Sequence, residues 1–350
     1  MDLRSPLVPA TGMGGLLIGS DDMMKKIALG LIATAALTIS GLATAEDFKP
    51  AIVFDMGGKS DKSFNEAAFN GVEKFKSDTG IDYLEYEVTK VSEREQATER
   101  MARKGADIVV AIGFAQAAAV EKAAKAYPDT KFTIIDMVVD LPNVQSIVFR
   151  EEQGSFLVGI AAAMASKTGT VGFIGGMDIP LIRKFALGYK EGVLYANPNA
   201  EVIENMTGTT PAAWNDPTKG SELAKSQFDR NADVVFAAAG GTGLGVLQSA
   251  ADEKKLAIGV DSNQDHLHPG TMLTSMLKRV DVAVYNTMMS AKDGTWKPGV
   301  QVLGLEEDGV GFSVDEWNKG VLTEDMIAAM NKAKADIIAG KIKVTNYMDK

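Results

Sequence analysis

From residue 51 onward, short apolar runs alternate with longer stretches of helical periodicity. Ala51–Phe54, Ile81–Val88, Ile108–Ile112 and Phe132–Ile135 read as strands, and Phe64–Lys76, Glu93–Lys104 and Ala117–Ala126 as the helices between them. The alternation resumes at Val171 with strands Val171–Ile174, Glu201–Met206, Val234–Ala237 and Ala257–Val260, separated by helices over Ile182–Tyr195, Lys219–Arg230 and Leu244–Glu253. Unbroken apolar runs of this length suit strands covered on both faces, so the pattern predicts parallel sheets flanked by helices. Two such series in tandem predict two doubly wound α/β lobes. The 350 residues, more than the usual single domain holds, agree.

The pattern before residue 46 is of another kind. Met23-Met24-Lys25-Lys26 is a short basic stretch, followed by the apolar run Ile27–Ile39 and the small-x-small ending Ala43-Thr44-Ala45. This is the layout of a secretory signal peptide. Residues 1–45 are therefore expected to be an upstream extension (1–22) plus a leader cleaved after Ala45, leaving a soluble periplasmic protein that starts at Glu46. The apolar run is shorter than a bilayer span. The sequence contains no cysteine, which speaks against a lipoprotein, a disulfide or a thiolate metal site, and its two histidines speak against zinc. A net charge of −10 argues against nucleic acid or an anionic membrane surface as partner.

Candidate chemistry lies where the strands end, because open parallel sheets bind ligands beyond their carboxyl edges. Asp55, Gly113-Phe114, Asp136, Gly175-Gly176, Gly240-Gly241 and Asp261-Ser262-Asn263 fall there. Singly, such an aspartate caps a helix and such a glycine makes a turn. Their recurrence in both series points to two crevices facing one small ligand. In the segment 54–66, Gly57-Gly58 permits a sharp turn. Ser63 and Glu66 have capping-box spacing, which predicts a helix beginning at Phe64 and puts Phe64 and Asn65 in its first turn, facing the crevice. No G-x-S-x-G elbow is present, and Gly240–Gly245 reads G-G-T-G-L-G, which fails the dinucleotide spacing. Neither catalysis nor a cofactor is expected.

The run D-M-G-G-K-S-D-K-S-F-N at Asp55–Asn65 resembles the basic membrane protein (Bmp) family of ABC-transporter solute-binding proteins, which includes purine nucleoside receptors. The resemblance continues through Phe132–Asp136, Phe149–Gly159, Val171–Gly176, Trp214–Gly220, Ala239–Gly243, Ile258–Ser262 and Ser275–Arg279. It implies a periplasmic-binding-protein fold of type I, with two Rossmann-like lobes joined by a three-segment hinge. The first lobe is expected over 48–150 and 266–299, with Thr271–Leu277 as a further strand, and the second over 151–265 and 300–345. Pro269-Gly270 and Pro298-Gly299 would lie near the later crossings.

The resemblance also implies the ligand and its contacts. A monomeric receptor would hold adenosine, guanosine or inosine between its lobes and hand it to an ABC-transporter permease. Phe64 and Trp214, the latter where the family more often has phenylalanine, would stack the base. Asp136 would accept from a base N–H, Asp55 and Asp261 from ribose hydroxyls, and Lys278 would reach the ribose. Asn65, Phe114, Gly240 and Gly241 complete the expected site. A sugar receptor on the same fold is the alternative, and only the aromatic pair and Asp136 argue for a base.

Overall fold

A computed structural model describes residues 48–349. The expected leader, its cleavage point and the start at Glu46 lie outside them. The chain runs β1 (Pro50–Phe54), α1 (Phe64–Thr79), β2 (Leu84–Glu87), α2 (Arg94–Arg103), β3 (Ile108–Ala111), α3 (Ala117–Ala126), β4 (Lys131–Ile135) and β5 (Val144–Phe149). It continues through α4 (Glu151–Ala165), β6 (Thr170–Met177), α5 (Pro180–Ala196), β7 (Glu201–Gly208), α6 (Pro217–Phe228), β8 (Val234–Ala238), α7 (Gly243–Asp252), β9 (Leu256–Asp261) and β10 (Met272–Lys278). Last come α8 (Val280–Lys292), β11 (Gly299–Leu303), β12 (Val310–Phe312) and α9 (Glu324–Ile338).

The strands form two six-stranded sheets, ordered β11-β5-β4-β3-β1-β2 and β12-β10-β9-β8-β6-β7. The orders coincide once β6–β10 are matched to β1–β5, and every neighbouring pair is parallel except β10 with β12. In each sheet the chain reverses direction of travel beside its first strand, and a doubly wound sheet opens its ligand crevice at that point. The apolar runs of β1, β3 and β8 are buried along their whole length, as unbroken runs require. The strand expected over Ile81–Val88 is shorter because β2 is an edge strand of alternating exposure, while Ile81 and Tyr83 pack onto the core from the preceding loop.

Two expectations about the lobes are corrected. Met272–Lys278 pairs with β9 and so belongs to the second sheet, whereas Gly299–Leu303 pairs with β5 and forms the edge of the first. Pro269-Gly270 is a turn inside the second lobe, between β9 and β10. The crossings are at Arg150, at Arg279 and in the 304–309 loop, so the later two are not at Pro269-Gly270 or Pro298-Gly299; Arg150 N donates to the Leu303 carbonyl and Arg279 N to that of Gly309. The reason is register: a strand following a short loop takes the next free sheet edge, and a Pro-Gly pair marks a turn without saying which sheet follows it.

Helices α4 and α5 approach through glycines. A Cβ at Gly192 would lie 2.0 Å from the Phe156 carbonyl oxygen, and one at Gly188 2.2 Å from that of Glu152. This contact sets the first turn of α4, with Glu151 and Glu152, against Lys184 of α5.

Candidate functional site

A crevice opens between the carboxyl edges of the two sheets, with roughly 650 Å³ of space when its open mouth is included. Asp55, Phe64, Asn65, Phe114 and Asp136 line it from the first lobe, and Trp214, Gly240, Asp261 and Lys278 from the second. Gly241 is placed elsewhere: it sits behind the main chain of Trp214, whose carbonyl oxygen is 3.3 Å from the position of a Cβ there. Asp136 and Asp261, which follow or end the matching strands β4 and β9, both have left-handed backbone, at φ 72° and 63°. That conformation is uncommon outside glycine.

Each of three crevice aspartates has one oxygen held by the protein. Asp55 Oδ1 accepts from Arg94 Nε at 3.0 Å and Nη2 at 2.8 Å. Asp136 Oδ2 accepts from Lys278 Nζ at 2.6 Å, and Asp261 Oδ2 from the Ser63 hydroxyl at 2.6 Å. The second oxygen of each lacks a hydrogen-bond donor among the described residues, and Asp136 Oδ1 is fully buried in that condition. A buried acceptor without a donor costs about 1–3 kcal/mol, so this wall suits a ligand rich in N–H and O–H groups. Burial pushes Asp261 up to about 7, against the pull of Lys278 and Ser63. Near neutral pH it is thus available as donor or acceptor.

Lys278 is the centre of a buried charge network. Its Nζ also lies 3.0 Å from Glu151 Oε1, while Lys184 Nζ bonds Glu151 Oε2 and the Phe149 carbonyl, both at 2.6 Å. Burial alone would lower the Lys278 pKa, but Asp136, Glu151 and Asp261 more than reverse this and hold it above the ordinary lysine value. Burial likewise disfavours charge on Glu151, and Lys278 and Lys184 overcome that to hold it below its usual value. The ammonium of Lys278 faces the rings of Phe64, Phe149 and Phe185 at 5.1, 5.0 and 5.7 Å from their centroids.

Phe64 and Trp214 each rest on glycine. Phe64 packs over Gly113, where a Cβ would lie 3.6 Å from its ring. The Trp214 indole lies on Gly176 and beside Gly240; a Cβ at Gly176 would come within 2.1 Å of the ring. Glycines at the ends of the strands therefore seat aromatic rings, a role their turn-forming reputation does not suggest.

The capping box expected at Ser63 and Glu66 does not form. Asp61 takes that work, accepting from the backbone N–H groups of Ser63, Asn65 and Glu66 at 2.8, 3.0 and 3.0 Å. Ser63 is thereby released to bond Asp261 of the other lobe, and the Glu66 carboxylate pairs with Lys62. Asn65 lines the crevice, yet its amide is engaged within its own lobe: Oδ1 accepts from Asp55 N and Nδ2 donates to Asp61. It holds Asp55 in place.

Several lining or supporting residues went unnoticed in the sequence. Leu181, Ile182 and Phe185 on the first turns of α5 form an apolar wall, but read only as the inner stripe of a helix. Lys184 sits in that same stripe and is buried; a lysine among core positions was its only signal. Arg94 offered a clearer one. It opens α2, where the helix dipole disfavours a cation, so a specific anionic partner was to be sought.

Known proteins resemble the whole described chain. The family model for Bmp, described as ABC transporter substrate-binding protein PnrA-like, matches residues 48–346. The CD4+ T-cell-stimulating antigen of Listeria monocytogenes is 35% identical over 86% of this chain and 89% of its own length. The ABC transporter nucleoside-binding protein BmpA of Lactococcus lactis is 31% identical over 92% of this chain and 99% of its own. Among solved structures, an ABC transporter solute-binding protein of Aeropyrum pernix superposes with a TM-score of 0.78 at 29% identity, covering 85% of this chain and 93% of that one. The architecture is thus the two-lobed α/β fold of periplasmic-binding-protein type I.

Proposed function

The chain belongs to the Bmp family of PnrA-like ABC transporter substrate-binding proteins, and from that premise we propose that it captures a purine nucleoside between its lobes and delivers it to a membrane permease. The observation that carries this reading is the set of half-engaged aspartates, Asp55, Asp136 and Asp261, in a crevice that also holds Phe64 and Trp214. A purine nucleoside offers what such a wall asks for. Its base is flat and stacks on aromatics, its ribose carries hydroxyl donors, and it has no negative charge. The resemblance of this chain to a protein named nucleoside-binding supports the assignment. Phosphorylated nucleotides are disfavoured because their phosphate would meet carboxylates.

Calorimetry with adenosine, guanosine, inosine, uridine, ribose and adenosine monophosphate tests the reading. The three purine nucleosides are expected to bind at least tenfold more tightly than ribose, which lacks a stacking base worth about 1–3 kcal/mol, and more tightly than uridine, whose ring is smaller, and adenosine monophosphate, whose phosphate meets carboxylates. Ribose binding as tightly as inosine would overturn it in favour of a sugar receptor. The proposed place of action is the periplasm, after removal of the leader. Sequencing the N-terminus of the exported protein is expected to find Glu46 first, and an exported form still carrying Met24 would refute the cleavage.

A further inference from the structure

Beside the crevice, polar contacts join the loop before α1 to the end of β9 and the loop after it. The Ser63 hydroxyl donates to Asp261 Oδ2 at 2.6 Å, Ser262 Oγ donates to the Ser63 carbonyl at 2.7 Å, and Gln264 Nε2 donates to the Lys62 carbonyl at 2.9 Å. Each runs from one lobe to the other, since α1 packs with the first sheet and β9 lies in the second. Gln264 is itself rigidly placed: its Oε1 accepts from Val260 N at 2.8 Å, its backbone N–H donates to Ser275 Oγ at 3.0 Å, and it is 2% exposed. Ser262 and Gln264 are absent from the lining of the ligand crevice. Ser63, which two of the contacts grip, immediately precedes Phe64, and Asp261 presents its other oxygen to the crevice.

We propose that Ser262 and Gln264 are positioning residues that clamp the two lobes together, fixing Phe64 and Asp261 in their crevice-facing positions and setting how long the ligand is retained. The physical reason is geometric. The Ser63 carbonyl already accepts the Ala67 N–H of α1 at 3.0 Å and takes Ser262 as a second donor, while Gln264 supplies a donor to the neighbouring Lys62 carbonyl, so two fixed donors of one lobe meet consecutive carbonyls of the other. Contacts that hold the lobes over a bound ligand lengthen its residence, and most effects of such contacts appear in the dissociation rate. The clamp rests on the nucleoside reading only for the choice of ligand in one arm of its test.

Two variants each remove one cross-lobe donor, and the second also adds a buried negative charge, so its release should be at least as fast as the first's. Ser262→Ala deletes a hydroxyl. Gln264→Glu keeps its shape and its acceptor for Val260 N, but turns a carboxylate oxygen toward the Lys62 carbonyl. Stopped-flow fluorescence with inosine is expected to show dissociation about tenfold faster in each, the effect of losing roughly one buried hydrogen bond, with association within about twofold of the parent. Ser262→Thr, which retains the hydroxyl, should restore slow release. Small-angle scattering without any nucleoside should show both variants more open than the parent. Parental dissociation and parental scattering in both would overturn the clamp. If no form binds inosine, the ligand assignment fails, and the ligand-free scattering still decides the clamp.

Discussion

Lys278→Met is expected to lower the unfolding free energy by about 3–5 kcal/mol, the usual cost of leaving a buried charge without its partner. Lys278 is 2% exposed and lies 2.6 Å from Asp136 and 3.0 Å from Glu151. Methionine fills similar space against Phe64, Phe149 and Phe185, so lost packing is a minor part of the effect. What disappears is the cation, and Lys184 remains to offset only the Glu151 side of the network. Two further measurements separate charge from shape. Adding Asp136→Asn should recover a substantial part of the loss, because removing both partners costs much less than removing one. Acidification should also shrink the penalty. Burial already raises the Asp136 pKa against the pull of Lys278, and Lys278 helps hold Glu151 low, so with Lys278 gone both move up; the penalty is full above the new values and fades as pH falls through them. Urea denaturation at pH 8 and pH 5 checks both. A midpoint equal to the parent's at pH 8 would show that the network contributes nothing to stability.

Trp214→Ala should weaken nucleoside binding by about 1–3 kcal/mol, the value of stacking one base. The indole is held on Gly176 and beside Gly240 on the second lobe, and Phe64 rests on Gly113 on the first. A base meeting both rings is therefore gripped from two lobes. Trp214→Phe should keep a stacking face and much of the affinity. Fluorescence adds an independent readout. Trp296 donates its indole N–H to Thr133 Oγ1 at 3.2 Å, and Trp317 is 43% exposed; neither lines the crevice. The signal on ligand addition should thus come chiefly from Trp214 and be largely lost in Trp214→Phe. A double variant with Phe64→Ala should lose less than the two single losses combined, since two rings on one base are coupled. If Trp214→Ala binds inosine like the parent and still reports it, the sandwich is wrong.

The layers and the neighbourhood of the site are legible from residue pattern alone. Buried parallel strands must be apolar throughout and their helices amphipathic, so β1, β3, β4 and β8 and the helices between them stood out from local pattern alone. Residues such as Asp55, Asp136 and Asp261 could be found because a strand's carboxyl end is legible from where its apolar run stops. Tertiary structure decided everything that depends on which atom meets which. Ser63 had the spacing of a helix cap, yet Asp61 lies two residues upstream with a carboxylate that reaches three N–H groups, and Ser63 turned to the other lobe instead. Met272–Lys278 joined the second sheet, and Gly299–Leu303 the first, because edge pairing is a long-range choice that a Pro-Gly turn leaves open. Arg94 and Lys184 became parts of the site only when folding brought them to Asp55 and Glu151, 39 and 33 residues away along the chain. Hydrophobic period is a property of neighbours in sequence; the partner of a buried charge is a property of neighbours in space.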